Sequence, residues 1–165
     1  MIPSITKGLL AASFVIYLVG CGGISKEARS QVTYTGTFAE LQASPDPHIG
    51  QIAIFGGKVI SVQVLDKGTE LTILQLELDS SDRPMNNDQS KGRFLVLSNQ
   101  FLDPALYPAG TLVTVVGKIK GSQERAIGQM PYRYPIIEPI EIKKWPMETD
   151  TSPRFHFGIG VGKTF

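Results

Sequence analysis

Residues 52–64 read IAIFGGKVISVQV, and the alternation of their side chains decides the fold class. Ile52, Ile54, Ile60, Val62 and Val64 share one parity, while Ser61 and Gln63 take the other. Successive side chains of an extended strand point to opposite faces, so the pattern predicts one long strand that buries its even-numbered face. Gly56 and Gly57 fall in its middle, where two residues without side chains permit the bend or bulge that curls a sheet into a barrel.

The same alternation extends outward along the chain. Leu71 and Ile73 have one parity and Leu74, Leu76 and Leu78 the other, which predicts a bulge between Ile73 and Leu74. Residues 94–97 and 112–119 supply a third and a fourth strand. The fourth is apolar on both parities at Leu112, Val113, Val115 and Val116, the mark of a central strand. Residues 132–145 place Tyr132, Tyr134, Ile136, Ile140 and Ile142 on one face and Pro135 and Pro139 on the other parity. Both missing amide donors then lie on one side, which predicts an edge strand. Residues 80–92 and 99–110, rich in Asp, Asn, Pro and Gly, read as loops. Thr37 caps a short helical turn over 37–41, which Ser44-Pro45-Asp46-Pro47 ends.

Five strands without a long amphipathic helix predict a mainly β fold, a small antiparallel and partly open barrel of OB-like type. A small open sandwich is the alternative. The barrel domain is expected over 48–146, after a lead-in over 21–47 and before a tail over 147–165 that carries a further strand-like pattern.

The amino-terminal segment carries an address. Lys7 is the one charge in residues 1–20, and residues 9–19, LLAASFVIYLV, are continuously apolar up to Gly20. A charged start, an apolar run and a small residue form the layout of an export signal, and the run falls short of the roughly 20 residues that a spanning helix needs. Leu18-Val19-Gly20-Cys21 resembles the bacterial lipobox. That resemblance implies cleavage of residues 1–20 before Cys21, with Leu18, Val19 and Gly20 as recognition residues. It also implies S-diacylglycerol and N-acyl chains, such as palmitate, on Cys21. Each buried methylene contributes about 0.8 kcal/mol and one chain holds only reversibly, so a multiply acylated Cys21 is a firm membrane anchor. Gly22 stands where an aspartate would signal retention in the inner membrane, which implies sorting to the outer membrane. Cys21 is the only cysteine, so no disulfide competes for its thiol. Residues 22–32, GGISKEARSQV, read as a flexible tether with no packed element.

The whole chain has 16 Lys and Arg against 15 Asp and Glu; without residues 1–20, whose only charge is Lys7, the balance is 15 of each. Nucleic-acid binders carry a basic excess, so no nucleic-acid partner is expected.

With the strands in place, the motifs become recognisable in order. They are Ile54-Phe55-Gly56-Gly57-Lys58-Val59, then Leu76-Glu77-Leu78-Asp79 with Arg83-Pro84, then Gly92-Arg93-Phe94 and Asp103-Pro104 with Tyr107. Val113-Thr114-Val115-Val116-Gly117, Ile127-Gly128 and Tyr132 with Tyr134-Pro135 complete the series. Following a lipobox, this order resembles the Slp family of outer-membrane lipoproteins. Phe55 departs from the tryptophan that many relatives place there. The resemblance implies Gly56, Gly57 and Gly117 as structural positions. It implies an outer-membrane lipoprotein facing the periplasm, linked in some bacteria to starvation, stationary phase or acid stress, and it supplies no catalytic residues.

The remaining candidate sites are sparse. His48, near Asp46, and His156 are far apart and lack cysteine partners, so neither catalysis nor a metal is expected there. Asp79, Asp82 and Asp88 share a loop, but their spacing does not match a calcium-binding loop. Gly158, Gly160 and Gly162 echo a dinucleotide loop without the helix that such a site needs. Phe155, Phe157, Ile159 and Val161 alternate with glycines up to Phe165, a pattern suited to a strand packed across the domain, a membrane-surface contact or a self-association edge. Neither a cofactor nor a metal is expected. The leading expectation is a non-enzymatic envelope lipoprotein with a structural or binding role and a possible envelope protein partner. The rival is a ligand carrier or envelope enzyme with a pocket lined by Tyr132, Tyr134 and Trp145.

Overall fold

A computed structural model describes residues 23–86 and 89–146. Strands β1 (Ile52–Leu65), β2 (Gly68–Leu76), β3 (Arg93–Ser98), β4 (Leu112–Ile127) and β5 (Met130–Lys144) close into a barrel in the order β1-β2-β3-β5-β4. Every pairing is antiparallel except β3–β5, which is parallel and spans only Leu95↔Ile136 and Val96↔Ile137. This is the OB arrangement, and the expected opening is reduced to that short seam.

Closure overturns two expectations about single strands. β5 is not an edge: it pairs with β4 along its length and with β3 at the seam. Pro139 is accommodated at a register shift, where Val116 faces Glu141, Gly117 faces Pro139 and Ile140 is passed over. A bulge of this kind absorbs the donor that proline lacks. β4 is not a central strand, because a closed barrel has no centre. It is apolar on both parities because Val113 and Val115 face the interior while Val116 faces a second apolar cluster outside.

The barrel interior is built from Ala53, Phe55, Val59, Leu71, Ile73, Phe94, Val96, Val113, Val115, Ile119 and Ile137. Fully burying a Leu, Ile or Phe side chain contributes about 1.5–3 kcal/mol, so these residues dominate the stability. Over its first half β1 therefore buries its odd-numbered face, the reverse of the sequence reading. A register shift between Val59 and Ser61 then reverses the parity, and Val62 packs against the core. The bulge lies in β1, whereas β2 pairs with β3 without a shift from Thr69↔Ser98 to Leu74↔Arg93.

Ile52 and Ile54 point outward and are covered by a segment read as a tether. Helix α1 (Lys26–Ser30) packs Ala28, with Ile24 before it, against Ile52, Ile54 and Val116. Ser25 caps the helix, accepting from the Ala28 amide at 3.1 Å, and donates to Glu141 from its amide at 3.0 Å and its hydroxyl at 2.5 Å. From Gly23 onward the segment is thus docked on the barrel wall; its polar composition hid two apolar residues with the spacing of one helical face. Helix α2 (Phe38–Ala43) begins at the expected Thr37, with a reciprocal capping box to Glu40. Its Phe38 ring packs edge-on against Phe55 at 5.4 Å and lies 5.8 Å from Phe94.

The glycines of the motif sit where strands coil tightly. A Cβ on Gly57 would overlap the Leu74 carbonyl oxygen, and one on Gly117 the Glu138 carbonyl oxygen. We predict that Gly57→Ala and Gly117→Ala each lower stability by about 1–3 kcal/mol, the usual cost of forced overpacking. Gln63→Ala, at an exposed position of β1, changes it by no more than about 0.5 kcal/mol. Urea unfolding midpoints check this, and unchanged midpoints in the glycine variants would refute the close-approach account.

Candidate functional site

The outer face of the second and third strands, with the adjoining loops, is where OB barrels hold ligands. In this chain the face is covered by its own β4–β5 hairpin, which runs on past the seam. Glu70, outward on β2 and almost fully buried, accepts two hydrogen bonds of 2.6 Å from the Arg125 guanidinium. The planar fork matches the carboxylate, and the Glu70 bond raises the Arg125 pKa, keeping it charged. Gln123 accepts from Arg125 at 2.8 Å. On the neighbouring strand the Tyr132 hydroxyl accepts from the Arg93 amide at 2.6 Å, and its ring meets Tyr134 edge-on at 4.7 Å. Leu95 and Tyr134 are both buried. The hairpin is also tied to α2: Arg133 donates to the Ala43 carbonyl at 3.1 Å, and Gln42 donates to the Arg133 carbonyl at 3.5 Å.

This arrangement separates residues that the sequence grouped. Tyr132 and Tyr134 belong to the joint, whereas Trp145 lies at the end of β5 and donates its indole N–H to the Thr114 hydroxyl at 3.0 Å. The pocket expected between the three aromatics is not formed.

The aspartate loop is likewise occupied from within. The Asp79 carboxylate accepts from the Ser81 and Arg83 amides at 2.7 and 3.0 Å. Asp82, held at φ 66°, pairs with Arg29, and its carbonyl accepts from the Thr114 hydroxyl. Asp88 lies outside the described residues. Among the described residues, no three His, Cys, Asp or Glu side chains are grouped to hold a metal ion.

His48 packs edge-on against Tyr34 at 4.9 Å, and its Nδ1 is buried without a hydrogen-bond partner among the described residues. Asp46 shares its short 3-10 turn, Asp46–His48, which lies beside β4. His156, the tail residues Phe155, Phe157, Ile159, Val161 and Phe165, and Gly158, Gly160 and Gly162 lie outside the described residues. Leu18, Val19, Gly20, Cys21 and Gly22 do as well.

Sequence reasoning missed a surface groove. Where β3 and β5 diverge beyond the seam, a groove of about 560 Å³ opens between Ser98, Asn99 and Gln100 on one side and Glu138, Pro139 and Ile140 on the other. Asn99 donates to Glu138 across it at 3.2 Å, and Lys120 pairs with the same carboxylate at 3.2 Å. The hydrogen bond from Lys120, with its charge, holds the Glu138 carboxyl below the usual range. No periodicity announces such a groove, because it arises from the divergence of strands far apart in sequence.

The sequence profile of the Outer membrane lipoprotein Slp family matches residues 18–159. The chain is 36% identical over 143 residues to the uncharacterized lipoprotein YeaY of Escherichia coli K12, covering 86% of this chain and 74% of that one. It is 33% identical over 163 residues to the outer membrane protein Slp of the same organism, covering 96% and 86%. A small single-stranded DNA-binding protein from Streptomyces coelicolor matches with a TM-score of 0.36 and 15% identity, covering 58% of this chain and 94% of that one. That likeness is slight, and the fold rests on the strand order itself.

Two predictions come from the charged pairs. Arg125→Met leaves Glu70 buried without its partner and lowers stability by about 1–3 kcal/mol, less than for a fully buried pair because Arg125 remains one-third exposed. Glu70→Gln with Arg125→Met recovers part of that loss in a double-mutant cycle by thermal unfolding. A cycle without coupling would refute the joint. The second concerns acid. The Glu40 carboxyl is also held low, first by its hydrogen bond from the Thr37 amide. A carboxylate with a depressed folded-state pKa stabilises the fold above its unfolded value, and that contribution fades as pH falls through about 4.5 and below. Glu40→Gln and Glu138→Gln should each flatten the acid side of a melting-temperature profile against pH. An unaltered slope would count against the assignment.

Proposed function

The chain belongs to the Slp family of outer membrane lipoproteins, and from that membership we propose that it is anchored by acyl chains on Cys21 and faces the periplasm. There it serves as a non-enzymatic structural or binding module of the envelope under starvation, stationary-phase or acid stress. The observation that carries the binding role is the covered β2–β3 face. With Glu70, Arg125, Tyr132 and Tyr134 locked together, the usual ligand face of the barrel is closed, and contacts must be made through the outer wall. The match beginning at residue 18 takes in the lipobox and supports the anchor. The relatives' names carry no enzymatic activity, in keeping with a non-catalytic module.

One observation favours a second reading, a periplasmic ligand carrier: the groove of about 560 Å³ between β3 and β5 is large enough for a small molecule and carries both amide and apolar groups.

Cys21→Ser should abolish metabolic labelling with palmitate, leave the signal uncleaved and remove the protein from the outer-membrane fraction. Persistent labelling would refute the anchor. Crosslinking and pull-down of the lipidated chain, from envelopes grown with and without nutrient limitation, should recover a protein partner that the Cys21→Ser chain does not. Recovery of the same proteins with both chains would refute the binding role and leave the anchor standing.

A further inference from the structure

Trp145, the sole tryptophan of the chain, closes β5 on the outer wall. The Arg83 guanidinium and the Lys143 ammonium each lie 5.7 Å from its ring centroid. Its N–H reaches the Thr114 hydroxyl, which in turn donates to the Asp82 carbonyl. Asp82 touches the start of the described chain as well. A Cβ on Gly23 would sit 2.5 Å from the Ser81 carbonyl oxygen and 3.4 Å from the Asp82 carboxylate, so Gly23 lies directly on this loop. The residues after Gly23 allow no slack: Ile24 and Ala28 are buried, Ser25 is bonded to Glu141, and Arg29 is paired with Asp82.

Only Gly22 lies between Gly23 and Cys21, and the two chain links joining them span at most about 7 Å. Acyl chains on Cys21 therefore leave the domain beside Asp82, one residue's width from the Trp145 cluster. Arg83 also donates to the Pro146 carbonyl at 3.4 Å, which holds its guanidinium at the end of β5 beside the ring. Tryptophan flanked by cations is the side-chain combination that sits at membrane interfaces, with the ring at headgroup depth and the cations on phosphate.

We propose that the face formed by Arg83, Lys143 and Trp145 is seated on the phospholipid headgroups of the membrane that holds the anchor, so that the barrel stands in one fixed orientation rather than swinging on a tether. The proposal rests on the lipidation of Cys21. In this orientation the arginine and lysine contact lipid phosphates, and the indole ring lies at the boundary with the acyl chains.

The single tryptophan makes the contact directly readable. The lipidated chain is reconstituted into phosphatidylethanolamine–phosphatidylglycerol vesicles, with or without bromine near the top of the acyl chains, and floated on a density gradient. In floated vesicles Trp145 emission should shift to the blue and lose most of its intensity when the lipid is brominated. Lys143→Glu, with an unchanged circular dichroism spectrum, should recover most of that intensity while still floating. A chain that floats but keeps full emission in brominated vesicles overturns the seated face and leaves the anchor intact. A chain whose mass shows no acyl groups on Cys21 overturns both.

Discussion

At two points of the barrel wall a backbone carbonyl occupies the space that a side chain would fill. The Leu74 oxygen sits over Gly57 and the Glu138 oxygen over Gly117. Only glycine tolerates so close an approach, and the approach lets β1 coil against β2 and β4 against β5 tightly enough for five strands to close. Closure then makes the interior small enough for Phe55, Phe94 and the branched side chains around them to fill, with Phe38 of α2 packed against both rings.

The same coiling determines what the outside of the barrel can do. β3 and β5 meet for only two residue pairs, so on one side of that seam the strands part and a groove opens. On the other side the β4–β5 hairpin overruns the barrel and is held on the β2–β3 face by a forked ion pair and a tyrosine hydroxyl. A fold whose open face commonly takes ligands has here turned that face into an internal joint.

A second apolar layer outside the barrel reshapes the amino-terminal segment. Ile52, Ile54 and Val116 point away from the interior and would meet water if Ile24 and Ala28 did not cover them. The short α1 helix is worth little by itself, since isolated helices of this length are marginal, and its order comes from that packing and from Ser25 bonding to Glu141. The loop at Asp82 then joins helix, barrel and the end of β5 through Arg29, Thr114 and Trp145.

Local pattern alone determined much of this protein: five strands, the capped turn at Thr37, and the ordered motifs that resemble the Slp family, although β4 runs on to Ile127, well past the 119 read from its pattern, and the bulge of β1 falls after Val59 rather than at Gly56 and Gly57. These follow from side-chain period, turn chemistry and missing side chains, all of which act between residues close in sequence. Which parity of β1 faces inward was beyond that reach, because both parities are apolar and the register shift after Val59 is set by the pairing with β2. The joint between Glu70 and Arg125, the docking of Ile24 and Ala28, and the groove beside Glu138 were equally out of sight. Each brings together residues that are neighbours only once the barrel has closed, and that closure is a property of tertiary structure.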